Sequence, residues 1–194
     1  MTLSRVMLGL LAAATATPAL AHMGGAAHAA HGFTAGFAHP FSGLDHVLAM
    51  TAVGLWASLV GGRALWAWPL AFASATALGA VLGLQDFGLP GVEAAVALSV
   101  VALGLAVTLR LPLAVAAGAA ACGVFALVHG FVHGAEVPAG ADVAGTLVGF
   151  AIATALLHAV GIWFGAAVSA GGSPWLPRAA GAAVAAAGLG ILLG

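Results

Sequence analysis

Two short stretches concentrate the side chains able to do chemistry. The first is His39-Pro40-Phe41-Ser42-Gly43-Leu44-Asp45-His46 and the second is His129-Gly130-Phe131-Val132-His133-Gly134-Ala135-Glu136. Proline suits the first turn of a helix. A helix starting at Pro40 would put His39 and His46, seven positions apart, on one face, with Asp45 one position around. In the second stretch the three side chains follow i, i+4 and i+7 and share one helical stripe. Gly130 and Gly134 leave room for a neighbouring helix or a hydrated ion. Glu93, flanked by Val92 and Ala94, is a third element, expected to be buried and to need a partner.

Imidazole suits zinc, copper, iron and nickel, whereas carboxylate and water prefer harder ions. A mixed nitrogen and oxygen set without thiolates fits Ni²⁺, Co²⁺ or Zn²⁺. It disfavours Cu(I), because Cys122 is alone and there is no methionine cluster. His158 stands apart, about 24 Å along its own span. Its plainer reading is a core histidine bonded to a backbone carbonyl; the other is a second station towards the cytoplasm.

The elements that must position these residues follow from composition. The chain is 63% hydrophobic and 5% charged, with four Lys+Arg against eight His. Soluble domains carry about 25% charged residues, so this chain cannot cover a water-facing surface. A net charge of −1 offers no footprint for nucleic acid. Six apolar runs, at 39–61, 64–84, 90–109, 111–134, 142–169 and 175–193, each reach the ~20 residues that cross a bilayer as a helix. Residues 1–21 read as a cleaved signal peptide, with Arg5 before a short apolar stretch, Pro18, and Ala19-Leu20-Ala21 as the cleavage site. Residues 22–36 read as a flexible Gly/Ala/His tail carrying His22, His28 and His31, a composition able to capture metal. The expected fold is therefore all-α: a bundle of six transmembrane helices over 37–194, preceded by a signal and a tail.

Orientation follows from the same reading. A cleaved signal exports His22, and the loops then alternate. Arg63, Arg110 and Arg178 fall in the inner loops, while Asp86, Glu136 and Asp142 fall in the outer ones, as the positive-inside bias requires. Both termini of the mature chain are then periplasmic, in a bacterial inner membrane. His39, Asp45, His46, Glu93, His129, His133 and Glu136 come to one depth near the periplasmic face.

The two clusters resemble the motifs of the HupE/UreJ family of nickel/cobalt permeases. The His-x5-Asp-His pattern is met at His39 to His46, within HPFSGLDHVLAM, and His-Gly-x-x-His-Gly-x-Glu at His129 to Glu136. The resemblance extends along essentially the whole chain. It implies secondary uptake of Ni²⁺ or Co²⁺, with His39, Asp45, His46, His129, His133 and Glu136 as the motif positions. The implied partners are the lipid bilayer and the divalent metal ion itself, with no resident cofactor and no enzymatic activity. The absence of a Gly-x4-Gly-Lys-Ser/Thr loop removes ATP as a direct energy source.

Two other readings suit a His/carboxylate set. One is an intramembrane zinc hydrolase, although neither His-Glu-x-x-His nor Gly-x-Ser-x-Gly occurs. The other is a metal sensor or store that does not transport. Under any of these readings histidine ligands must be deprotonated to bind. Metal uptake should therefore weaken as external pH falls from about 7.5 to about 5, measured as initial rates in cells; a flat profile argues against imidazole ligation.

Overall fold

Hydrocarbon offers no partner to a free backbone N–H or C=O, so a chain this apolar must satisfy those groups within its own helices. A computed structural model describes residues 32–85, 87–138 and 140–194. Residues 1–31, with the expected signal segment and His22, His28 and His31, lie outside the described residues, as do Asp86 and Ala139. Seven helices form: α1 (Gly32–Ser42), α2 (Leu44–Val60), α3 (Ala64–Gly83), α4 (Val92–Thr108), α5 (Val115–Ala135), α6 (Val143–Ala170) and α7 (Leu176–Leu193). No strand occurs among the described residues.

The first apolar run departs from expectation. It is not one helix starting at Pro40 but two, bent by 82°. Pro40 lies inside α1, and residues 32–36, assigned to the tail, are already helical. The break falls three residues after the proline. Ser42 turns its hydroxyl back to the His39 carbonyl at 2.6 Å, and Gly43 takes an extended conformation, φ −105° and ψ 121°. A Cβ on Gly43 would stand 2.6 Å from Asp45 Oδ1 and 2.9 Å from His46 Nδ1. Glycine is thus required here because the two site residues that follow fold back over it.

The α3, α5, α6 and α7 helices are each long and apolar enough to cross a membrane, and the bent α1–α2 pair can count as a fifth span. With 17 residues, α4 is about 26 Å long, a little under the hydrocarbon thickness. The other helices match their apolar runs to within a few residues.

Packing proceeds by pairs: α3 against α5, α4 against α7, and both α1 and α2 against α6. Small residues draw these axes together, as they do where lipid removes the hydrophobic drive between helices. A side chain on Gly130 would run into the Thr76 backbone, and one on Gly134 into that of Ala80. The two glycines thus accommodate a neighbouring helix, α3, rather than an ion. At the far end the tight connection between α4 and α5 places Arg110 at φ 51°. Two buried indoles hold it there: Trp56 Nε1 donates to the Leu111 carbonyl and Trp68 Nε1 to that of Val115, both at 2.9 Å.

Polarity is distributed inside out. Trp66, Leu70, Val124 and Trp163 are 58–63% exposed, while His46, His129, His133, His158, Thr76, Ser99 and Thr154 are buried. A water-soluble protein does the reverse, so the outer surface is one made for lipid.

Close approach at the α3–α5 seam can be tested directly. Gly134→Val should destabilise the bundle by about 1–3 kcal/mol through overpacking, read as a lower Tm in detergent. Gly190→Ala, where a Cβ meets nothing, should leave the Tm unchanged.

Candidate metal centre

The bend at Gly43 decides the geometry of the centre. A straight helix would carry His39 and His46 along one face, about two turns apart. The break instead folds α1 across the bundle, so that His39 meets His133 of α5 with ring centroids 4.5 Å apart. His46 meets the same His133 at 4.2 Å and His39 at 6.0 Å. One ligand nitrogen from each of His39, His46 and His133 lies within 4.8 Å of the others. An ion bound at about 2.0–2.1 Å draws its nitrogens to roughly 3–3.5 Å apart, so small rotations of the rings would close on it.

Each of two imidazoles is steadied by a carboxylate. Asp45 Oδ1 stands 2.5 Å from His46 Nδ1 and also accepts the His46 backbone N–H at 2.8 Å. Glu136 Oε2 stands 3.3 Å from His39 Nε2. In a neutral ring the nitrogen facing a carboxylate carries the proton, and the other keeps its lone pair. His46 is thereby set to present Nε2, which is buried without a partner, and His39 to present Nδ1. The His39 contact also pulls the Glu136 carboxyl below the ordinary carboxylate range, against the opposing effect of partial burial. Carboxylate–imidazole pairs of this kind orient metal ligands and raise their basicity. In the described arrangement Asp45 and Glu136 back the ligands rather than complete the nitrogen set.

His133 is held differently. Both of its nitrogens are buried without a hydrogen bond, and Phe150 of α6 lies against the ring at 4.2 Å. Phe150 has no signal in the sequence, because an aromatic in an apolar span carries no mark of the site.

One turn deeper, His129 is fully buried and its ring lies 5.1 Å from that of His46, outside the three-nitrogen group. Its Nε2 stands 2.8 Å from Ser99 Oγ, and the Ser99 hydroxyl donates to the Val96 carbonyl at 2.7 Å. A hydroxyl has one proton, so Ser99 accepts from Nε2–H, and Nδ1 of His129 is left as a bare, unpartnered acceptor. The position of Ser99, a lone hydroxyl in an apolar helix, was the available hint.

Glu93 does not join the centre, and its expected burial is a misreading. It is exposed in the first turn of α4. The buried stripe of that helix starts three residues later, at Val96, Ala97, Ser99 and Val100. An unpaired carboxylate is comfortable there because the helix N-terminus favours negative charge. His158 is a core histidine, 2% exposed, whose Nε2 is buried without a partner.

Fold and site together define a polytopic helical membrane protein that encloses a carboxylate-backed histidine centre. The family described as HupE / UreJ protein matches residues 8–191, and the chain belongs to that family. It is 45% identical over 182 residues to Protein HupE of Rhizobium leguminosarum bv. viciae, covering 94% of this chain and 95% of the relative. No solved structure matches.

If the carboxylates act by orienting the rings, Asp45→Asn should weaken metal affinity about 10–100-fold, the usual cost of losing an outer-shell partner. Titration of detergent-purified protein with Ni²⁺ checks this. Affinity equal to wild type would mean that His46 does not need Asp45.

Proposed function

We propose that this protein is a secondary permease that brings Ni²⁺ or Co²⁺ from the periplasm into the cytoplasm. In this reading α1–α2, α3, α4, α5, α6 and α7 form six spans after a cleaved signal peptide. The chain lies in a bacterial inner membrane with both mature termini in the periplasm. The observation that carries the proposal is the meeting of His39, His46 and His133, from three helices, at one end of the bundle. That same end bears Glu93, Glu136 and Asp142, whereas Arg63, Arg110 and Arg178 lie at the other. An acidic, arginine-free mouth attracts cations, and the basic end fits the cytoplasmic side.

Transport suits this centre better than permanent storage or hydrolysis. Passage needs binding that is firm enough to capture an ion and weak enough to release it. Three nitrogens with His39 half-exposed offer an incomplete, accessible shell. A zinc hydrolase needs in addition a general base beside the metal-bound water. Both nearby carboxylates, Asp45 and Glu136, are already occupied by imidazoles. Family membership supports nickel or cobalt as the cargo. Glu93, exposed at the same mouth, fits a role in gathering cations before they reach the histidines.

Radiolabelled nickel and cobalt uptake in cells tests the proposal. His133→Ala should lower uptake at least about tenfold, because it removes a central nitrogen contact to the charged ion. Glu93→Gln should raise the concentration needed for half-maximal uptake. Wild-type rates in the His133→Ala strain, at equal protein level, would remove the centre from the path.

A further inference from the structure

The outer centre does not account for all the polarity buried in the bundle. Four buried heteroatoms lie deeper without a hydrogen-bond partner: His129 Nδ1, Thr76 Oγ1, Thr154 Oγ1 and His158 Nε2. Their residues are 0–2% exposed. Buried polar groups are rarely left unpaired, because each forfeits its contacts with water. The two threonines are conspicuous among the helical ones. Thr51 and Thr108 return their hydroxyls to the carbonyl four residues back, at 2.6 and 2.8 Å, the usual way a threonine is satisfied within a helix. Thr76 and Thr154 do not.

Two of these four groups belong to rings that flank one buried aromatic. Phe72 of α3, fully buried, lies 5.9 Å from the His129 ring and 5.2 Å from the His158 ring. Thr76 is four residues beyond Phe72 and Thr154 four residues before His158, so each shares a helix face with a ring that contacts the other. The Thr76 backbone also abuts Gly130, next to His129. Because α3 runs towards the acidic end and α6 away from it, both threonines lie on the outer side of the Phe72–His158 contact. A file of rings then leads inward: His133 to His46 at 4.2 Å, His46 to His129 at 5.1 Å, and His129 through Phe72 to His158.

We propose that Thr76, Thr154, His158 and Nδ1 of His129 form a second cation station inside the bundle, with Phe72 as the partition between its two imidazoles. The ligand is a partly hydrated divalent transition ion, held by bare imidazole nitrogens and by hydroxyl oxygens directly or through its waters. The inference rests on the transport reading above and adds to it a resting point beyond the outer centre. Two stations in file let an arriving ion at the outer site favour departure from the inner one.

The test uses full-length protein purified in detergent, with Co²⁺ as probe, in parallel with radiolabelled cobalt uptake in cells. Wild type should bind two equivalents, and His158→Ala and His133→Ala one each. Thr154→Val, which keeps the side-chain shape and removes only the hydroxyl, should weaken the second equivalent. In cells, His158→Ala should lower the maximal rate roughly tenfold, the loss expected for one contact to a charged group. Its half-saturating concentration should stay near that of wild type, because the outer centre is intact. If His158→Ala and Thr154→Val both bind and transport as wild type does, the inner station is refuted. A single equivalent in wild type, insensitive to His158 but accompanied by uptake, refutes the station and leaves the transport reading standing. Two equivalents, one of them dependent on His158, with no uptake by wild-type cells, establish the station and overturn the transport reading.

Discussion

A histidine inside a lipid-facing bundle has no water to meet its ring nitrogens, and the fold gathers three of its four buried imidazoles, His46, His129 and His133, beside one another. The exterior takes many of the leucines and valines and three of the tryptophans, and the interior takes His46, His129, His133 and His158. His46 and His133 lie ring to ring at 4.2 Å, and His129 lies 5.1 Å from His46. The carboxylates beside His39 and His46 select which nitrogen of a neutral ring carries the proton and which keeps its lone pair.

Close approach of helices is the second requirement, and it is coupled to the first. His129 and His133 are followed directly by Gly130 and Gly134, which seat α5 against Thr76 and Ala80 of α3. The stripe that carries the histidines is thus adjacent to the stripe that fixes the helix axis. Any shift of α3 along α5 would move the imidazoles relative to His46. On the other side α6 receives both α1 and α2, and so Phe150 rests on His133 while the His158 carbonyl abuts Gly54. One long helix thereby sets the positions of both arms of the bent pair.

Much of this could be read from the chain, and the exceptions have particular causes. Five of the six runs became helices near their expected limits, because apolar length and turn residues are local signals. The convergence of the two motifs was also readable, since His39, His46 and His133 do meet. The break at Gly43 was not. Proline suits a helix start, but it can also sit one turn before a break, leaving the carbonyl of residue 36 without its usual donor. Ser42-Gly43 after that proline held the missing signal. The exposure of Glu93 is not legible in the sequence, because flanking apolar residues say nothing about which way a first-turn side chain faces. Ser99, Thr76 and Thr154 carry little signal in the sequence, because a single hydroxyl in an apolar helix is ordinarily satisfied by its own backbone; Thr76 and Thr154 depart from that default only in three dimensions.

The three imidazoles of the centre are not equivalent, and the difference bears on how an ion could move through them. His39 and His46 are each fixed through one nitrogen to a carboxylate, so each can offer a ligand atom only from one direction. His133 has no such anchor: neither nitrogen is hydrogen-bonded, and only ring contacts with His39, His46 and Phe150 position it. Ring contacts restrain a plane far more weakly than a charge-assisted hydrogen bond restrains an atom. His133 can therefore change which nitrogen it presents without breaking a bond, while its two neighbours cannot. A fixed pair beside an adjustable third ligand is poorly suited to a permanent metal and well suited to a transient one. In the transport reading proposed above, the ion is held by all three and released as one ligand turns, and His129, one helical turn further in with a bare Nδ1, is the next acceptor.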